Sequence, residues 1–158
     1  MPVNCSYLMM LKRLKKKNIQ FAVTGTYALF LHKNSFSDYY TIQNCDIFLV
    51  DDPQNITQYI ELMQENDYEV MDWEEPVRMM EEEATAGKHW LRSVRENLVL
   101  DAAYDFIPEF FGDFTQDIIY LDGIPVIAAN KIIERKMHLG RAKDFEAIKA
   151  YKHMLYIG

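Results

Sequence analysis

The chain has 158 residues, enough for one domain with a sizeable core. Hydrophobic residues make up 49% and charged residues 26%, a globular composition that excludes a disordered tract, a collagen-like repeat or a coiled coil. The formal net charge of -7 argues against broad binding to phosphate backbones, and two cysteines, Cys5 and Cys45, are too few for a disulfide scaffold or an all-cysteine zinc site.

A reducing cytoplasm is the expected location. With no apolar run long enough for a signal peptide or a membrane span, no membrane partner is expected. In chain order, Leu8, Leu11 and Leu14 recur at helical spacing and predict a helix over 7–17, with Ser6 as its cap. Lys12, Arg13, Lys15, Lys16 and Lys17 form its polar face. Residues 19–23 are β-rich without helical period and read as a buried strand. Thr24-Gly25-Thr26 follows, then a short apolar helix over 27–31 and a polar, turn-rich stretch over 33–41.

Residues 45–50 predict a strand. Asp52 is placed to cap the next helix, and Pro53 fits its first turn. Ile56, Ile60 and Met63 lie on one face of that helix. A third strand is expected over 69–71, and the acidic stretch 72–83 carries no clear pattern. A fourth strand covers 98–102, with Asp101 at or near its end, and the aromatic 106–114 reads as a loop. Asp122-Gly123 is positioned to turn the chain between antiparallel strands 118–121 and 125–127, with Pro125 suggesting an irregular or edge position. From Ala128 onward the chain reads as helical, broken at Gly140, and the last helix carries Phe145, Ile148, Tyr151 and Leu155 as an apolar stripe. The sum is a single α/β (α+β) domain, residues 1–158, with a mixed β-sheet and a helical C-terminal end.

Three features bear on chemistry. Gly25-Thr26, between a strand and a helix, offers a tight turn and exposed backbone donors suited to phosphate oxygens. It also fits a plain structural turn, and it matches neither a Walker A loop nor a dinucleotide fingerprint. Asp46 interrupts an apolar strand, where an unpaired carboxylate is costly, so it needs the sheet rim, a partner or a cation. Asn44 faces the same side two residues earlier, and the two together suit either a hard cation or a strand-end turn. Asp101 ends another apolar strand, and two aspartates on neighbouring strands are able to share a magnesium ion. The late basic residues Lys131, Arg135, Lys136, Arg141 and Lys143 suit either nucleotide phosphates or a solvated face. Lys131 and Arg135 share a helix face, and Asp144 is placed to pair with one of the cations or to cap the last helix. His32, His89, His138 and His153 are scattered without metal-ligand spacing.

The order of these motifs resembles the nucleotidyltransferase superfamily, and within it the small bacterial toxin-type nucleotidyltransferases of abortive-infection and toxin–antitoxin systems. The resemblance runs from about Ile19 to Tyr151. Gly25-Thr26-Tyr27-Ala28-Leu29 is similar to the family's glycine motif, Asn44-Cys45-Asp46-Ile47-Phe48-Leu49-Val50 to its Asp-x-Asp strand, and Leu100-Asp101 to the strand of the third carboxylate. Gly123-Ile124-Pro125-Val126 with Lys131 resembles a later strand and helix, and Gly140-Arg141-Ala142-Lys143-Asp144 its late Arg-x-Lys-Asp signature.

The resemblance implies a nucleotidyltransferase-type mixed sheet and magnesium-dependent transfer of a nucleotidyl group from a nucleoside triphosphate to a hydroxyl. Gly25, Thr26, Arg141 and Lys143 would lie on phosphate, Asn44, Asp46 and Asp101 on metal, and Asp46 and Asp101 would carry catalysis. It also implies a nucleotide ligand and a cognate protein partner. Nucleic acid is the least favoured acceptor for so acidic a chain. The departures are Asn44 in place of the first family aspartate and Tyr40 where many members have an arginine. A second register makes Asp46 the first carboxylate and Phe48 the lost second. The alternative to transfer is a degenerate relative that binds a nucleotide or a protein.

Overall fold

The computed structural model describes residues 2–72, 89–104 and 114–157. The expectations for 106–113 and for most of the acidic stretch 72–83 lie outside these residues. Helix α1 spans Val3–Lys16 and buries Tyr7, Met10, Leu11 and Leu14; of the predicted leucine face, Leu8 is only partly buried. It starts earlier than expected, so Ser6 is inside the helix and Pro2 stands at its N-cap. The short strand β1, Phe21–Thr24, is buried throughout, and α2 follows directly over Gly25–His32. A 3₁₀ turn, Asn34–Asp38, leads to β2, Cys45–Leu49.

Helix α3, Pro53–Glu65, begins as predicted: the Asp52 carboxylate accepts from the Asn55 backbone N–H at 3.0 Å, and Pro53 occupies the first turn. Strand β3 covers Glu69–Asp72. Strand β4, His89–Arg95, was not foreseen, and it pairs with β5, Leu98–Tyr104, through a two-residue connection. After a second 3₁₀ turn at Phe114–Asp117, β6 (Ile118–Leu121) and β7 (Ile124–Ile127) form the predicted hairpin about Asp122-Gly123. Helix α4, Ala129–Leu139, stops at Gly140, whose φ of 65° is the left-handed geometry of a helix end. Helix α5 covers Ala142–Ile157.

The strands form a mixed seven-stranded sheet in the order β3-β4-β5-β2-β1-β7-β6. β1 runs antiparallel to β2 and parallel to β7, and β2 runs parallel to β5. Helix α1 packs on β5 and β7, and α2 packs on β2, β1 and α4. The core gathers Tyr7, Leu11, Tyr27, Ile47, Leu49, Tyr59 and Leu100, all nearly solvent-free. Among the described residues no helix is long and apolar enough to cross a membrane.

Two details correct the sequence reading of positions. Pro125 lies on an interior strand and not at an edge; β7 meets β1 in register only at Val23↔Val126, so this ladder is short enough to tolerate a residue without an N–H. On α5, Ile148 and Tyr151 are buried as expected, but Phe145 and Leu155 are about half exposed. The buried face instead includes Asp144, Ala147 and Met154. The helix is rotated to bring a carboxylate inward.

Candidate functional site

A cleft of about 430 Å³ opens where the end of β1, the start of β2, the middle of β5 and helices α4 and α5 meet. Its size is in the range of small-ligand sites. Gly25, Thr26, Asn44, Asp46, Asp101, Arg141 and Lys143, every site residue the sequence singled out by resemblance, line it. Trp90, Arg92, Arg135, Lys136 and Tyr40 complete much of the wall.

The floor is set by strand register. Asp46 on β2 and Asp101 on β5 are direct partners in a parallel pair, so both carboxylates leave the same face of the sheet. Asp101 is mid-strand, not at the strand end, because β5 continues to Tyr104. Its side chain is only 4% exposed. The Arg92 guanidinium grips it in a fork, Nε donating to Oδ1 at 2.8 Å and Nη2 to Oδ2 at 2.9 Å. The Asn44 amide stands between the two aspartates. Its Nδ2 donates to Asp46 Oδ1 at 2.9 Å and to Asp101 Oδ2 at 3.0 Å. The sequence had given Asn44 the task of offering an oxygen to a metal; in this arrangement it offers hydrogens to its neighbours.

Asp46 lies beside Asp101 and accepts from the Asn44 amide. Burial, followed by the charge of Asp101, pushes its carboxyl up to about 6, against the pull of Lys136, Arg135 and Lys143. Gly25 presses on it from above. The glycine sits at φ 70°, and a Cβ there would fall 2.7 Å from Asp46 Oδ2. The glycine is therefore required twice, by its backbone angle and by the carboxylate it must clear.

The opposite wall comes from α4 and α5. Asp144 is fully buried. It accepts from Arg141 Nε at 2.6 Å, from Arg141 Nη2 at 3.1 Å and from the Arg141 backbone N–H at 3.2 Å, while Lys136 Nζ lies 3.5 Å away. Burial alone would raise its carboxyl, but the Arg141 bonds and the charges of Arg141 and Lys136 outweigh this and hold it below the usual range. Arg135 lies over the Phe48 ring at 5.0 Å, and burial lowers its guanidinium to about 10 despite Asp46 nearby. Tyr40 stacks on Phe36, with ring centres 5.5 Å apart, and forms part of the rim. Neither Tyr40 nor Phe48 closes the cleft.

Lys131, which the sequence leaves open between a phosphate-facing surface and a solvated face, does not line the cleft. It is exposed and sits 3.6 Å from Glu134. Lys136, one residue after Arg135, takes that place. Trp90 and Arg92 carried no signal in the sequence reading because β4 itself was not recognised. Among the described residues, the lining holds five cationic side chains, Arg92, Arg135, Lys136, Arg141 and Lys143, against three carboxylates. In a chain of net charge -7 this is a local reversal of sign.

The donor set bears on the metal that the resemblance implies. Magnesium asks for oxygen acceptors in near-octahedral array at about 2.0–2.1 Å. Here both Asp101 oxygens accept from Arg92, and Asn44 turns donors toward both carboxylates. Among the described residues no three carboxylate, histidine or cysteine side chains converge as a metal site. As arranged, these residues do not fit a carboxylate-held magnesium pair. Comparisons with family models, curated proteins and solved structures find no match to the chain.

Proposed function

We propose that this chain is a nucleotidyltransferase-like protein whose cleft binds a nucleotide through its phosphates, and in which transfer chemistry has been lost. The observation that carries the binding half is the reversal of charge. An acidic chain concentrates five cations around one cleft, beside a glycine turn at the start of a helix. Arg135 and Lys136 come from α4, Arg141 from the turn between the two helices and Lys143 from α5, and all four line the cleft together with Gly25. Tyr40 and Trp90 supply flat apolar surface suited to a base. The motif order supports the same reading.

The second half, loss of transfer, is supported by Asn44 and Arg92. A phosphoryl-transfer centre of this kind relies on metal ions to spread charge on the transferred phosphorus. With one carboxylate replaced by an amide and another held in an arginine fork, the charge available to a metal falls.

Isothermal titration with ATP, GTP, CTP and UTP tests the binding half. At least one should bind with a Kd below about 1 mM. The Arg135→Ala, Lys136→Ala double variant should weaken it about tenfold or more. No binding of any of the four at millimolar concentration would overturn the reading. A labelled-triphosphate assay with magnesium or manganese and mixed hydroxyl acceptors tests the second half. Label transfer by the wild type that vanishes in Asp46→Ala would restore the enzyme, a possibility kept open by the parallel register that places Asp46 beside Asp101.

A further inference from the structure

We infer that the Arg92 guanidinium, flanking Asp101, and the Asn44 amide, bonded to both Asp101 and Asp46, replace a divalent cation that would bridge the two carboxylates, so that the cleft takes its anion without a metal. The inference rests on the nucleotide-binding reading for its ligand, and on geometry alone for the metal.

Three observations converge. The first is placement: strand register sets Arg92 opposite Asp101 on one side and Asp46 opposite Asp101 on the other, so the three side chains form one row across β4, β5 and β2. The second is occupancy of the acceptor sites. Asp101 Oδ1 and Oδ2 accept the two arms of the guanidinium at 2.8 and 2.9 Å, and Oδ2 accepts a third bond from Asn44 at 3.0 Å. Asp46 Oδ1 accepts from Asn44, and Oδ2 lies against Gly25. The third is charge. Two adjacent carboxylates, one of them nearly solvent-free, repel each other and need a positive group between or beside them. A metal ion supplies that role in an Asp-rich site. The guanidinium supplies it here, permanently and covalently tethered.

For a cation to enter, the Arg92 fork must open and the Asn44 amide must rotate to present its oxygen. Opening the fork strips a buried carboxylate of its partner, which is the costly way to break such a pair. The substitution at position 44 and the arginine at position 92 are thus one device. An aspartate at 44 would add a third negative charge to the row and call for a metal; an asparagine completes the hydrogen bonding without one. The polyphosphate that enters then meets side-chain cations, where a metal-dependent site would admit a magnesium complex.

The test begins without nucleotide. Manganese binding, read by water proton relaxation, is compared in wild type, Asn44→Asp, and the Asn44→Asp, Arg92→Gln double variant, each checked for folding by thermal melt. The double variant should bind manganese about tenfold or more tighter than wild type, because it gains one carboxylate and loses one guanidinium. If the double variant does not fold, Asn44→Asp alone should still tighten binding measurably. Wild type that binds manganese as tightly as Asn44→Asp, with the binding lost in Asp46→Ala, overturns the inference. The second arm is titration of ATP into wild type in EDTA and in magnesium. Affinities within about threefold of each other support the inference, and binding seen only with magnesium overturns it while leaving the nucleotide reading intact. Absence of ATP binding in both buffers defeats the nucleotide reading, and the manganese comparison then decides the inference by itself.

Discussion

The sheet floor and the helical wall of the cleft both bury an aspartate, and they treat it differently. On the floor, Asp101 is held by Arg92, a residue from the neighbouring strand, and by the Asn44 amide. On the wall, Asp144 is held by Arg141, only three residues away on the same helix end, with Lys136 behind it. The floor pair depends on strand pairing between residues nine apart, and Arg92 is 32% exposed. The wall pair is local, and its arginine is 52% exposed. Between them Asp46 faces the cleft, with the Asn44 amide donating to it and the Gly25 turn against it. The comparison teaches that the two paired aspartates are structural anchors for cations, while burial and the neighbouring charge of Asp101 push the Asp46 carboxyl up.

The largest effect should separate the two anchored pairs. Arg92→Ala leaves a nearly solvent-free carboxylate and should cost about 3 kcal/mol in urea unfolding. Arg141→Ala leaves the buried Asp144 with Lys136 as a remaining cation and should cost less, about 2 kcal/mol. Equal losses would break the contrast between floor and wall.

Gly25→Ala comes next. A left-handed backbone angle and a Cβ 2.7 Å from Asp46 Oδ2 act together, and about 2 kcal/mol of stability should go. Asp46→Ala in the same chain should recover part of it by removing the clash. A double-mutant cycle showing no coupling would mean that the glycine serves the backbone alone.

Asp46 itself gives a pH signature. Folded, it holds its proton to about 6, against 3.8 for an ordinary aspartate. The folded state therefore binds the extra proton between these values, and stability should fall as pH rises from about 4 to about 6. Asp46→Asn keeps an oxygen for Asn44 and carries no charge. It should flatten this slope and raise stability at pH 7 by about 1–2 kcal/mol. A variant less stable than wild type at pH 7 would refute the raised Asp46 carboxyl.

The smallest effect sharpens the wall. Lys131→Ala removes an exposed pair with Glu134 and should change stability by less than about 1 kcal/mol and leave ATP affinity unaltered, while Lys136→Ala weakens it. Equal effects in titration would extend the anion surface outside the cleft.

Much of the floor was legible in the sequence. An apolar strand interrupted by Asp46, another interrupted by Asp101, and a glycine turn between strand and helix are local patterns; their meeting in one cleft was an expectation that no local pattern fixes. Arg92 was not legible because its strand was not. His89-Trp90-Leu91-Arg92-Ser93-Val94-Arg95 mixes charge and apolar residues, and its turn, Glu96-Asn97, lacks the glycine that marks tight hairpins; Glu96 takes φ 55° unaided. Had that turn been recognised, counting back from Arg95↔Leu98 would have set Arg92 against Asp101. The wall was misread for a related reason. Counting only apolar residues on α5 selected Phe145 and Leu155, while the helix turns by what Asp144 needs. Lys131 and Lys136 differ by register on α4, which i, i+4 spacing from Arg135 does not resolve.

The place of β1 has a consequence for how the chain comes together. This four-residue strand is buried on every side, with β2 soon after it in sequence on one flank. Its other flank waits for β7, about 100 residues later. As the chain leaves the ribosome, β1 and β2 have the means to pair early, yet the second edge of β1, the unpaired backbone of a strand rich in apolar residues, stays open until residues 124–127 have been made. Open apolar edges invite pairing with other chains, and late long-range closures slow folding. A pulse-labelling experiment on stalled nascent chains would locate the moment of rescue: protection of the β1 amides should rise in two steps, the second only when the β6–β7 hairpin has emerged.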